Sequence, residues 1–261
     1  MNIAEKLKTV AEREVAVHEA GQSKGYNEGY ALGLKTSHNY TDGFDAGKKA
    51  EYDAFWDAYQ DYGNRTYTPG MFMGKGWNAE TLKPKYSIIA QSTYMMFAYC
   101  AFDGDLNDVF EKRGLTLTVD ANDNSQNGYM FYNCSIKAIG TIDISNLTNS
   151  TYVPSMFNTA TLETIRNLIP PKCEMQASCW GAGLVNLGIG GDITKNMNLS
   201  RCTKLSKDSV ANVVNALSAE ASGQTATFSK TAVNNAFEGG SEGAEWKALI
   251  GTKSNWTISL V

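Results

Sequence analysis

The chain has 261 residues, 43% of them hydrophobic and 19% charged, with a formal net charge of −4. This is the balance of a folded chain with one large core or two smaller ones, and it excludes a disordered or low-complexity protein. The net negative charge gives no footprint for nucleic acid or an anionic membrane surface, and no apolar run is long enough for membrane insertion.

Residues 1–62 read as a helical oligomerisation stalk. Ile3, Leu7, Val10 and Val17 form a short heptad run. Residues 26–35 then recur as residues 40–49, a repeat of 14. Fourteen residues are two heptads, so matching positions share a seam only in a left-handed coiled coil. Tyr26, Gly33, Tyr40 and Gly47 take one seam position, and Tyr30 and Phe44 the other. A glycine inside a helix costs about 1 kcal/mol relative to alanine. Close approach of partner helices, with the aromatics filling the gaps, would offset that cost. These six residues are the candidate oligomer interface. The alternative is an irregular tether whose periodicity is accidental. Tyr52, Phe55, Trp56 and Tyr59 next share one face of a helical turn, and residues 61–70 are turn-rich.

From residue 96 one short pattern recurs five times. It reads Met96-Phe97-Ala98-Tyr99-Cys100, Met130-Phe131-Tyr132-Asn133-Cys134 and Met156-Phe157-Asn158-Thr159-Ala160. Weaker copies follow at Cys179-Trp180-Gly181-Ala182-Gly183 and Asn198-Leu199-Ser200-Arg201-Cys202. The second position is large and apolar, the fifth is small, and Ile, Leu or Val recurs after most copies: Ile136, Ile139, Ile142, Ile144; Leu162, Ile165, Leu168; Leu184, Leu187, Ile189; Leu205. Steps of 34, 26, 23 and 19 residues between copies predict a solenoid over residues 63–204, because one such unit cannot bury its apolar face alone. The five cysteines predict buried free thiols, three of them (Cys100, Cys134, Cys202) in the same small slot.

Residues 205–261 read as an α/β capping unit. Ser206 is placed to cap a helix lined by Val210, Val213, Val214 and Leu217. A short strand at 225–229 follows, then a helix capped by Ser229 and carrying Val233 and Phe237. Another helix is marked by Trp246, Leu249 and Ile250, and a final strand begins at Trp256.

Catalytic signatures are weak. His18 and His38 are the only histidines, both far in sequence from every cysteine, and neither lies in an HExxH motif. Gly181-Ala182-Gly183 lacks the third glycine of a dinucleotide loop and reads as a structural turn. The segment from Gly70 to Gly76 is too short to cradle phosphate. Asp120, Asn122 and Asn124 have calcium-loop spacing, but Ser125 stands where glycine is needed and Phe131 where the bidentate Glu belongs. Asp103, Asp105 and Asp108 cluster as a carboxylate pair for glycoside cleavage would, but that reaction needs a groove and a carboxyl separation that sequence does not show, and a solvated loop face accounts for them equally. No catalytic, cofactor-binding or metal-binding residues are assigned. Exposed inter-repeat loops are the expected recognition surface, with 120–128 and 148–154 the longest and rich in Asn, Ser, Thr and Tyr.

The pattern Met-Phe-x-x-Cys-x-Ile, clearest from Met130 to Ile139, resembles the BspA-like leucine-rich repeat. The wider layout is similar to tail-associated structural proteins of phages from gut Firmicutes. There a Gly/Tyr-rich helix, an element like Ala50-Glu51-Tyr52-Asp53-Ala54-Phe55-Trp56-Asp57 and a turn like Gly63-Asn64-Arg65-Thr66 precede the repeats. The closing unit from Leu205 to Ser259 matches as well. The resemblance implies an α+β fold, a leucine-rich-repeat-like solenoid with a helical stalk and a C-terminal α/β cap. It further implies a non-enzymatic virion protein, a tail fibre or receptor-binding component made without a signal peptide. Its expected partners are copies of itself as a homotrimer, other tail or baseplate proteins, and a host surface glycan or protein. A bacterial leucine-rich-repeat surface adhesin and a purely structural tail spacer are the alternatives.

Overall fold

In the computed structural model, which describes residues 65–66, 84, 87–90, 94–119, 128–149, 153 and 155–261, the recurring Ile and Leu positions fall in short strands. Ile139, Ile165 and Leu187 stand opposite one another on neighbouring strands, as do Ile142, Leu168 and Ile189. All but Ile189 are buried. Six strands run in chain order through this sheet: β1 (Arg65–Thr66), β2 (Ile88–Ala90), β3 (Leu117–Val119), β4 (Ala138–Asp143), β5 (Thr164–Ile169) and β6 (Asn186–Ile189). Strands β2 to β6 pair in parallel. A second parallel sheet holds β7 (Met197–Leu199), β8 (Gln224–Phe228) and β9 (Trp256–Leu260).

Parallel neighbours cannot be joined by a tight hairpin, so each pair needs a crossover. The short helix α1 (Leu106–Val109) precedes β3. Helix α2 (Lys207–Ala216) links β7 to β8, and α3 (Lys230–Ala236) and α4 (Ala244–Gly251) link β8 to β9. The Ser206 hydroxyl accepts from Ser209 N and the Ser229 hydroxyl from Ala232 N, so both expected helix caps are in place. Helix α2 also lies along the outer edge of β6. There Leu187 N donates to Ser209 Oγ (2.8 Å) and Ile189 N to Asn212 Oδ1 (2.6 Å), so side chains satisfy an edge that would otherwise recruit another strand. At the far end of α2, Lys253 Nζ donates to the carbonyls of Asn215 and Leu217, where the helix dipole favours a cation.

This architecture corrects the expected fold class. The described residues form an α/β fold of two parallel sheets with short helices, not the expected α+β solenoid with a C-terminal cap, and the expected helical stalk lies outside them. Apolar spacing and caps locate elements, but neither fixes which strand a strand joins nor in what direction. The fifth copy shows the consequence: Leu199 lies in β7 opposite Phe228, within the second sheet. That sheet therefore draws strands from both sides of residue 204. The six candidate interface residues, Tyr26, Tyr30, Gly33, Tyr40, Phe44 and Gly47, lie outside the described residues, as does all of 1–62.

The other four copies stack their second-position rings. Phe97 and Phe131 are 5.2 Å apart between centroids and inclined by 11°. Phe131 and Phe157 are 5.8 Å apart at 14°, and Phe157 and Trp180 5.4 Å apart at 19°. A backbone ladder runs beside the rings: Phe97 N donates to Met130 O, Phe131 N to Met156 O and Phe157 N to Cys179 O, each at 2.8 Å. All four rings are buried, and Trp180 Nε1 has no hydrogen-bond partner among the described residues. The five cysteines are free and buried. Burial pushes the thiols of Cys134, Cys179 and Cys202 up to about 12 and that of Cys173 to about 11, and it raises Cys100 as well.

Truncating the middle of the ring column, Phe131→Ala, is expected to destabilise the protein by about 3–5 kcal/mol in urea unfolding. Trp180→Phe, which also removes the orphaned N–H, is expected to change stability by less than about 1 kcal/mol. A Phe131→Ala variant as stable as the parent would remove the column from the core. The thiols make a second prediction. Unfolded thiols ionise near pH 9 but folded Cys134, Cys173, Cys179 and Cys202 near 11 to 12, so above pH 9 the folded state keeps protons that the unfolded state releases. Their contribution is intact below pH 9 and is lost as pH rises, by about 1.4 kcal/mol per pH unit per thiol. Native alkylation should accordingly be slow at pH 8, with five thiols labelled after unfolding without reductant; rapid native labelling would contradict this burial.

Candidate functional site

The residues flanking each Met-Phe pair form the most distinctive surface. The first three copies bend through turns in which residues other than glycine take left-handed backbone angles: Met95 (φ 50°) and Tyr99 (φ 56°), Tyr129 (φ 55°) and Asn133 (φ 48°), and Ser155 (φ 52°). These are equivalent places, before the Met and two after the Phe. Each such residue costs on the order of 1 kcal/mol and persists only where its surroundings hold it. Here the holding element is the ladder between turns. Met95 N donates to Gly128 O (3.3 Å), Tyr99 N to Tyr132 O (3.1 Å) and Asn133 N to Asn158 O (3.2 Å).

The turns carry a chain of four tyrosine rings. Tyr94 meets Tyr129 edge-to-face with centroids 6.4 Å apart, Tyr129 meets Tyr132 at 5.6 Å, and Tyr132 meets Tyr99 at 5.8 Å. The interplanar angles are 83°, 85° and 88°. Tyr94, Tyr129 and Tyr132 are half-buried, whereas Tyr99 is 51% exposed. Asn133 is exposed and Ser155 and Asn158 half-buried along the same turns. Segments 94–102, 128–136 and 155–162 contain no Lys, Arg, Asp or Glu. The strip is an aromatic and amide surface without charge, and each ring is braced by its neighbour.

The polar side of the first sheet is different in kind. Asn167 Nδ2 donates to Thr141 Oγ1 and Asn186 Nδ2 to Thr164 Oγ1 across the strands. Arg166 holds Asp105 through two hydrogen bonds, and Asp105 also caps α1 by accepting from Asn107 N at 2.9 Å. The hydrogen bond to Asp105 raises the Arg166 guanidinium above its ordinary value, with Asp108 and Glu111 adding to it. The Glu111 carboxylate accepts from Thr141 N and lies over Gly140, where a Cβ would meet it. Lys137 pairs with Asp103 at 2.9 Å and Lys112 with Asp108 at 2.5 Å. Asp103, Asp105 and Asp108 therefore each hold a cation of this chain; the Arg166–Asp105 pair fastens α1 to the sheet, whereas Lys112–Asp108 is a local pair four residues apart.

Among the sequence candidates, Gly181 and Gly183 are explained by close approach. A Cβ at either would strike the backbone of the preceding turn at Thr159 and Ala160, so the glycines serve turn stacking. Asp120, Asn122 and Asn124, the segment from Gly70 to Gly76, and His18 and His38 lie outside the described residues. Of the two recognition loops, 120–127, 150–152 and 154 also lie outside them, but loop 120–128 leads directly into Tyr129 and loop 148–154 into Ser155. The sequence reading reached the margins of the strip and missed its tyrosines. They occupy different places in successive copies, so no fixed pattern marks them. The usable signal was spacing: 94 to 129 and 99 to 132 are 35 and 33 residues, bracketing the 34 from Phe97 to Phe131.

Among the described residues no cluster of three His, Cys, Asp or Glu side chains is arranged to hold a metal ion, and no helix is long and apolar enough to cross a membrane. No family model, no curated protein and no solved structure matches this chain.

Proposed function

We propose that the protein is a non-enzymatic component of a phage virion, a tail-fibre or receptor-binding subunit that contacts the host cell surface. The observation that carries this reading is the uncharged tyrosine strip, held in strained turns by a parallel backbone ladder. Preorganised aromatic side chains lose little freedom on binding, and Tyr supplies contact area together with a hydrogen-bonding hydroxyl. Paired carboxylates, a nucleophile beside a base, and a cofactor cradle play no part in this reading. Its partners are other tail or baseplate proteins and a glycan or protein of the host. The recurrence of residues 26–35 at 40–49 supports self-assembly of the chain, and the resemblance to tail fibres favours a homotrimer, which would multiply a weak single-site affinity.

Immunogold labelling with antibodies to the full chain is expected to decorate tails of the virions that carry it. Fluorescent full-length protein is expected to bind host cells and not unrelated strains. Unlabelled virions would remove the tail assignment, and labelled virions whose isolated protein binds no cells would leave a spacer. Light scattering on the full chain should give three times the monomer mass, falling to one when residues 1–62 are removed; a full-length monomer at micromolar concentration would contradict the trimer.

A further inference from the structure

We propose that the tyrosine strip binds a neutral saccharide, with Tyr99 as the stacking platform and the turn amides and hydroxyls as its hydrogen-bonding rim. The inference rests on the recognition role proposed above and assigns its ligand class. Charge is the first discriminant. Segments 94–102, 128–136 and 155–162 carry no ionisable Lys, Arg, Asp or Glu side chain, so they offer no partner to a phosphorylated, sialylated or otherwise charged ligand. Exposure is the second. Among the described residues the exposed large hydrophobic side chains are Tyr99 and Val261, whereas a protein partner is usually anchored by a cluster of apolar and Arg side chains entering pockets.

What the strip does present suits a pyranose ring. Such a ring has an apolar face of C–H bonds, which packs on a flat aromatic ring, and an edge of hydroxyls that both donate and accept. Tyr99 is the most open of the four rings, and Tyr132 braces it edge-on at 5.8 Å and 88°. Tyr129 in turn braces Tyr132, and the left-handed backbone of Tyr99, Tyr129 and Asn133 fixes where these side chains start. Exposed Asn133 and half-buried Asn158 and Ser155 supply amide and hydroxyl groups that can serve as donor or acceptor. These groups come from three neighbouring turns, and a surface spread over several turns fits an oligosaccharide better than a single sugar.

The test uses the full chain on an array of neutral oligosaccharides with free vicinal diols (1,4-linked gluco-, galacto- and manno-hexamers) and on host cells. At least one array oligosaccharide is expected to bind. High salt should leave that binding unchanged, because no ion pair is screened. Tyr99→Ala should weaken it by about tenfold or more while leaving the melting temperature in place, and Tyr99→Trp should retain it. Periodate oxidation of the cells, which cleaves vicinal diols, should abolish cell binding, and protease treatment should not. Cell binding that survives periodate but is lost to protease would overturn the saccharide and leave the recognition role standing with a protein receptor. Oligosaccharide binding indifferent to Tyr99→Ala would overturn the assignment of the site. A chain that binds neither cells nor oligosaccharides would overturn both proposals.

Discussion

The described structure depends on parallel, chain-ordered stacking with equivalent residues held one above another. Hydrogen-bonded neighbours in a parallel sheet sit about 4.8 Å apart. The Phe97–Phe131–Phe157–Trp180 centroids are separated by 5.2, 5.8 and 5.4 Å, slightly more than that spacing. Near-parallel rings prefer to be offset instead of eclipsed, and the excess separation is that offset. Backbone ladder and ring column therefore agree on one geometry. Neither would persist alone, since single turns have too few hydrogen bonds and single rings too little buried area.

The same constraint explains where strain is stored. Because each turn must deliver its N–H groups to the carbonyls of the next, its backbone follows a fixed path whatever side chains it carries. At Met95, Tyr99, Tyr129, Asn133 and Ser155 that path passes through left-handed angles. Asn tolerates this conformation through its short polar side chain; Tyr and Met do so less readily. That tyrosine nevertheless occupies two of these places is consistent with the ring being wanted there for its surface. At Gly181 and Gly183 the turns approach so closely that only glycine fits, and the aromatic strip gives way to small residues at the same point.

Much of the core was legible in the sequence because large apolar residues at equivalent places must be buried together. Phe97, Phe131, Phe157, Ile139, Ile165, Leu168 and Leu187 are all buried, and so are Val210, Val213 and Val214 along α2. Ser206 and Ser229 were readable as helix caps because a hydroxyl just before an apolar run has one dominant use. Strand direction was not readable. A short apolar strand reads the same whether its partner is parallel or antiparallel, and that choice separates an α/β from an α+β fold. Leu199 illustrates the limit: it fits the fifth copy by spacing, yet its register partner is Phe228, and no local feature announces that pairing. The tyrosine strip was legible only through the 35- and 33-residue spacings of its rings, for a related reason. Its rings come from four different places of the pattern, and only the folded ladder brings them into one row.

The two surfaces divide polar chemistry in opposite ways. On the sheet side charges are abundant but committed: Arg166 to Asp105, Lys137 to Asp103 and Lys112 to Asp108. Exposed pairs of this kind contribute little stability individually, about 0–1 kcal/mol. Arg166 is the exception in geometry, since its fork meets both oxygens of a carboxylate that also caps α1. That arrangement fixes the approach of α1 to the sheet and leaves little charge for a ligand to use. On the turn side, segments 94–102, 128–136 and 155–162 carry no Lys, Arg, Asp or Glu, and backbone strain accompanies the aromatic rings. The two faces therefore differ in what they leave open: one has Asp103, Asp105 and Asp108 already paired with cations of the chain, and the other presents braced, uncharged rings from strained turns.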